Sequence, residues 1–347
     1  MIRILRSYVA TALKTTLYRS GVLALVRCAG GSGSRLPLLH YHSVSSEGVY
    51  RTPTIAVSPA MFERQMAFLA AHYRVISLDD VVDCIEQRRP FPPRAVAITF
   101  DDGYLDNHEV ALPILRRHGL TATFFVTAGP VVRGDRFWVS WLRTAVLSAP
   151  DLSGLVATGL IPTALASRAR RDGREPVVDA VTARMNRAGL AERHELLEQT
   201  ARALHMDHGP AKGAEEFMRP HHARELARAG MTIGSHTVTH PNLPSLTAAD
   251  AFTELLESKR LLESVVEAPV RHLAYPGGPD PSRPDFTGEI IELVRRAGYR
   301  SASTSLRAPV TLDSDPFVLG RYDVHEGMGF AGFAFKLEQP RLGSRPG

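Results

Sequence analysis

Cysteine is nearly missing from the chain, with only Cys28 and Cys84 among 347 residues. Two cysteines make no disulfide framework, and without a C-x-x-C pair they offer neither a redox motif nor a thiolate zinc site. Cys84 falls on the apolar side of a predicted helix, where it serves as a small hydrophobe. No H-E-x-x-H occurs, which removes the helix-borne site of a zinc protease. Long apolar runs are lacking too: near the N-terminus the longest, Gly21 to Val26, is far too short to cross a bilayer. No continuous hydrophobic region leads into a cleavage-type site, so no signal peptide is read, and a cytoplasmic or membrane-peripheral protein is expected. Nor do basic residues alternate with aromatics, so no nucleic-acid partner is expected despite a net charge of +5. The most local deficit is acid. No carboxylate precedes Glu47, whereas Arg3, Arg6, Lys14, Arg19, Arg27 and Arg35 all do. Residues 1–35 therefore read as a basic amphipathic segment, suited to peripheral contact with an anionic membrane surface or to packing across one end of the domain. Gly30 to Ser34 makes a flexible hinge after it.

What is present is an ordinary globular composition, 44% hydrophobic and 22% charged, in a chain long enough for one sizeable core. The chain is organised around Ala95 to Tyr104. A β-branched, apolar strand ends there in Asp101, Asp102 and Gly103. Within a regular strand adjacent side chains face opposite ways, so the two carboxylates can share a site only where the glycine lets the backbone turn. A solvated Asp-Gly turn is the plain alternative. A second short apolar strand, Thr232 to Ser235, runs into His236 and His240, spaced so that a tight turn brings both to one metal. An aspartate and two neutral imidazoles suit zinc or another borderline divalent ion. A third, Leu273 to Ala274, opens into Tyr275-Pro276-Gly277-Gly278. Three strand ends bearing polar or glycine-rich chemistry are what a β/α barrel gathers at one mouth.

Together the TFDDG of Thr99 to Gly103, the SHTVTH of Ser235 to His240 and the AYPGG of Ala274 to Gly278 resemble the polysaccharide deacetylases of the NodB-homology type, carbohydrate esterase family four. LLHYHSVS (Leu38 to Ser45) and ATFFV (Ala122 to Val126) extend the resemblance across roughly residues 36–330. It implies a distorted (β/α) barrel and a metal-dependent hydrolase, usually holding zinc, that removes N-acetyl groups from a polysaccharide, exopolysaccharide or sugar conjugate. It further implies Asp102, His236 and His240 as metal ligands and Asp101 as general base. The oxyanion falls to a backbone N–H at Gly277, with Tyr275 beside the acetyl pocket. Two departures stand out. The family's usual arginine that orients the base is replaced by an apolar residue, leaving Arg321 on the last strand as a substitute. The usual late histidine acid is not reproduced, and His325 is the nearest replacement, with His42 at the end of the first strand as the next choice. A lapsed barrel that only binds carbohydrate, or an amidase on a small nitrogenous substrate, are the competing readings.

Periodic strand signals stop after Gly129, and residues 130–216 read as a helical insertion between two barrel strands. Trp138 and Trp141 near its start suit helix packing, with sugar stacking as the alternative. The barrel is expected to occupy 36–330, leaving 331–347 as a C-terminal tail.

Overall fold

The computed structural model describes residues 12–28, 33–46, 55–206, 216–277 and 285–338. Residues 1–11, 29–32, 47–54, 207–215, 278–284 and 339–347 lie outside them, and with them most of the hinge expected over Gly30 to Ser34.

Eight short strands form one parallel sheet. In chain order they are β1 (Leu38–Tyr41), β2 (Arg74–Val75), β3 (Ala95–Phe100), β4 (Thr123–Val126), β5 (Thr232–Ser235), β6 (His272–Ala274), β7 (Ser301–Ser303) and β8 (Tyr322–Asp323). The spatial order is β7-β6-β5-β4-β3-β1-β8, with β2 added against the start of β3. Every residue of β3 is buried, as its unbroken apolar run requires of a strand covered on both faces. The sheet curls into a distorted barrel through the segment leading into β8. Leu319 bridges to Ser303 of β7, and four residues later Asp323 pairs with His40 of β1. Because all eight strands run in parallel, their carboxyl ends share one mouth, and Asp101, Asp102, His236 and His240 lie just beyond two of those ends, after β3 and β5.

Helices cover the outside for identifiable reasons. The helix Pro59–His72 starts where the Ser58 hydroxyl accepts the Met61 N–H, and Leu78–Glu86 starts on a reciprocal cap between Ser77 and Asp80. Between β4 and β5 the helices Trp138–Ser148, Ser153–Ala157, Thr163–Asp172, Glu175–Met185 and Leu190–Ala203 enclose an apolar cluster of their own, centred on Leu142, Val146, Leu155 and Val177.

One sequence expectation needs correction. Residues 331–338 do not belong to a tail: Gly329–Glu338 is a helix whose Phe330, Phe333 and Leu337 are buried in the barrel's main core. Their i, i+3, i+7 spacing is a helical stripe. The described part of the N-terminal segment is helical at 12–19 and over Val22–Cys28. Tyr18 packs edge-on against Phe330, and Arg27 pairs with the buried Glu338 at 3.7 Å. That segment is thus docked on the last helix, with Leu13, Val22 and Leu25 left outward. Among the described residues no helix is long and apolar enough to cross a membrane.

Candidate active site

The turn after β3 aims both aspartates into the mouth. Asp102 takes a left-handed φ of 76° and Gly103 follows at 90°. Aspartate tolerates that region better than most residues, and at Gly103 a Cβ would stand 3.2 Å from Val131 and 3.3 Å from Val126. The backbone is pinned in this form by Thr127, whose N–H donates to the Asp102 carbonyl at 3.2 Å. The glycine therefore does half of the turning that the sequence assigned to it, and Asp102 does the rest.

Asp102, His236 and His240 converge. Asp102 Oδ1 lies 3.5 Å from His236 Nε2 and 3.5 Å from His240 Nε2. His236 has its Nδ1 2.8 Å from the Ala274 carbonyl, which makes Nδ1 the protonated nitrogen and leaves the Nε2 lone pair facing Asp102. Burial lowers the pKa of both imidazoles, His240 the further, and so keeps them neutral as ligands must be. Burial, then the neighbouring charge of Asp101, pushes Asp102 up to about 7. Among the described residues no lysine or arginine pairs with it, so this buried carboxylate has a donor set around it and no cation of the protein's own. The three residues together form a group able to hold a metal ion. The loop that carries the histidines is built on Glu254, which accepts the N–H groups of Val238 at 2.8 Å and Thr239 at 2.9 Å.

Asp101 is treated differently. Arg321, only 1% exposed, grips it with both arms of the guanidinium, Nη1 to Oδ1 at 2.6 Å and Nη2 to Oδ2 at 2.8 Å. His40 Nε2 stands 2.8 Å from Oδ2, and His40 Nδ1 is hydrogen-bonded to Asp323 at 3.1 Å. Asp323 in turn accepts from Arg307 Nε at 2.9 Å. Burial alone would raise the pKa of Asp101, but Arg321 and His40 outweigh it and hold the carboxyl well below its usual range. His40 is itself pulled down by burial and Arg321, and Asp101 and Asp323 more than reverse that. His40, His42 and Asp101 also lie close enough to form a second group of ligand type. There, however, the guanidinium already occupies both carboxylate oxygens, and a second cation would meet it at close range.

The remaining sequence candidates fall in different places. His42 is half-buried, with its ring 4.4 Å from that of His40, and burial and His40 lower its pKa to about 3. His325 precedes the short turn Glu326–Met328 after β8 and belongs to neither group of metal-ligand type. Tyr275 is 1% exposed, its ring lies 5.7 Å from that of Phe286, and its hydroxyl donates to the Phe317 carbonyl at 3.0 Å. Gly277 is exposed at the start of its loop with φ 147°, and a Cβ there would sit 3.2 Å from Asp285. Sequence reasoning passed over His40, Asp323 and Glu254. Only His40 left a signal, two residues from His42 on one strand face.

The sequence profile of the family described as Polysaccharide deacetylase matches residues 88–302, more than half of the chain. YxkH of Bacillus subtilis (strain 168), which carries a polysaccharide deacetylase name, is 22% identical over 306 residues, covering 88% of this chain and 77% of its own. Among solved structures, the Streptococcus pyogenes deacetylase PplD in complex with acetate superposes with a TM-score of 0.58 at 17% identity, covering 87% of this chain and 98% of that one. IcaB from Ammonifex degensii gives 0.55 at 16% identity, covering 88% and 97%. At these identities the two structures speak for the barrel fold.

Proposed function

Since the chain belongs to the polysaccharide deacetylase family, we propose that it is a zinc-dependent hydrolase that removes N-acetyl groups from an acetylated glycan or sugar conjugate. The observation that carries this is the side-by-side contrast of two buried carboxylates. Asp101 is clamped by a guanidinium, while Asp102 faces two neutral imidazoles and no protein cation. Asp102, His236 and His240 would hold the ion, which when bound supplies Lewis acidity toward the acetamide carbonyl and the attacking water.

The geometry supports a reading of the protein's own part in the reaction. Asp101 stays ionised through neutral pH, and Arg321 and His40 fix its orientation while it receives the proton of the attacking water. The Gly277 N–H, beyond β6, is the donor offered to the developing oxyanion. The amine needs a proton to leave. His325, which follows β8, is the residue read for that step, because the His42 imidazole, its pKa lowered to about 3, has no proton to give at neutral pH. Replacing His325 with Ala should lower turnover of an acetamide roughly 10²- to 10⁴-fold while an activated aryl acetate, whose leaving group needs no proton, is nearly spared. His42→Ala should not show that split between the two substrates. A split shown by His42→Ala and absent from His325→Ala would move the role to His42.

Intact Asp101, Asp102, His236 and His240 speak against a lapsed barrel, and the family membership against a small-substrate amidase. A screen of acetate release across N-acetylated glycans with metal-loaded protein tests the assignment, and silence on every glycan alongside turnover of a small amide would reverse it.

For the N-terminal segment the reading is peripheral contact with an anionic membrane surface. Leu13, Val22 and Leu25 are 58%, 39% and 70% exposed on a stretch that carries Lys14 and Arg19. The full chain should co-sediment with phosphatidylserine-containing vesicles, and Leu25→Glu should weaken this. Sedimentation indifferent to both lipid charge and the substitution would discard it.

A further inference from the structure

His240 lacks the support that His236 has. A metal-bound histidine ordinarily fixes its ring by donating the second nitrogen to a carbonyl or carboxylate, as His236 does through Ala274. The Nδ1 of His240 is buried with no hydrogen-bond partner. Its backbone also sits in the left-handed region at φ 55°, as does Thr237 at 65°, which non-glycine residues seldom adopt. Something other than the ring must hold this residue, and its contacts identify what.

The His240 N–H donates to Thr237 Oγ1 at 3.1 Å, which ties the turn together from within. Its carbonyl points the other way, into the helical insertion. Trp138 Nε1 donates to that oxygen at 3.2 Å, and Arg193 Nη1 donates to it at 3.4 Å. Arg193 Nη2 also donates to Thr239 Oγ1 at 2.6 Å, and the same hydroxyl donates onward to Glu254 Oε1 at 2.6 Å. The guanidinium lies 5.5 Å from the centre of the Trp138 ring, and Phe137 meets the His240 imidazole edge-on at 5.1 Å. Three residues of the insertion thus surround one metal-ligand residue.

The cost of this arrangement makes it informative. Arg193 and Trp138 are each only 5% exposed. A buried guanidinium is expensive unless its donors are satisfied, and among the described residues Arg193 forms no ion pair with a carboxylate. Its hydrogen bonds go to one loop, the metal loop. A helical appendage that served only to enlarge the domain would have no need to bury a charge there.

We propose that the insertion is a positioning device for the metal centre: Arg193 and Trp138 hold the His240 backbone in the conformation that aims its imidazole at Asp102 and His236. The inference rests on the reading that these three residues bind the ion. It assigns Arg193 and Trp138 as positioning residues, acting through His240 without touching metal or substrate.

The test is zinc affinity of the metal-stripped full chain, measured by competition with a chromophoric chelator, beside the visible spectrum of the cobalt(II)-loaded protein. Arg193→Ala should weaken binding about 10- to 100-fold, the range seen when a ligand's outer support is removed. Trp138→Phe, which keeps the ring packing and deletes the donor, should weaken it by a smaller factor, and Arg193→Lys should fall between wild type and Arg193→Ala. The cobalt bands should shift in all three, as His240 loses its fixed direction. Arg143→Ala serves as the control. It breaks a pair with Glu175 within the insertion, formed at 2.7 Å, and should lower the melting temperature without moving zinc affinity. If Arg193→Ala does not fold, Trp138→Phe and Arg193→Lys decide. Wild-type affinity and spectra in the folded variants would overturn the inference, and so would an equal loss in Arg143→Ala. A wild-type chain that takes up no zinc would instead overturn the metal reading beneath it.

Discussion

Alanine at Asp102, His236 or His240 is expected to abolish stoichiometric zinc binding and acetate release while leaving the barrel folded. The three side chains follow strand ends and lie outside the barrel's apolar cluster, so the core loses little when any one is cut back. For Asp102 the change removes a buried carboxylate that has no lysine or arginine partner among the described residues, so the metal-free variant should be at least as stable as the metal-free wild type. The pH dependence follows from the same geometry. With Asp102 pushed up to about 7 by burial and by Asp101, protons compete with the ion for that oxygen. Zinc affinity should therefore fall as pH drops below about 7, and the Asp102→Ala variant should lose that dependence along with the site. Metal content by atomic absorption and melting curves of both forms check this. Full metal content in all three variants would remove the assignment.

The second large effect separates the neighbouring carboxylate. Asp101→Asn should keep its zinc, because Asp101 is engaged by Arg321 and His40 and is not needed as a ligand, yet turnover should fall by roughly a hundredfold or more. The amide keeps the shape but cannot accept the water's proton. It also leaves the buried guanidinium of Arg321 without its counter-charge, so a loss of stability should accompany the loss of rate. Arg321→Lys should show a related pattern at smaller amplitude, since one ammonium cannot make both hydrogen bonds of the planar fork. The measurement is kcat beside metal content for each variant. If Asp101→Asn sheds zinc while Asp102→Asn retains it, the two aspartates exchange roles.

The parts of this site legible in the sequence are those whose residues are neighbours in the chain. Asp101 and Asp102 are adjacent, and His236 and His240 lie within one loop, so an apolar strand running into ligand types announced each. The support around them is a product of barrel closure. Arg321 reaches Asp101 across 220 residues of sequence. The sequence could offer it as a substitute only because the usual arginine position was apolar. Asp323 meets His40 because β8 pairs with β1, a register no local pattern encodes. Tyr275 follows a strand that opens on the mouth, and the partner of its hydroxyl, the Phe317 carbonyl 42 residues on, is set by the closed core and by no local pattern. The last helix was hidden by Gly329 and Gly332, which depress helix propensity locally, while Phe330, Phe333 and Leu337 supply the packing that overrides it. The insertion was visible as helical, but nothing in its Ala/Arg/Leu-rich run indicated that Arg193 would be turned inward.

Acetate release is expected to depend on one ion held by Asp102, His236 and His240. The most direct test is to return zinc stepwise to chelator-stripped protein while following acetate release from an N-acetylated oligosaccharide that the glycan screen has shown to be turned over. The stripped chain should give no release, and added zinc should restore it linearly with a break at one equivalent per chain. Undiminished release from the stripped chain, or a rise that continues to two equivalents, would contradict it.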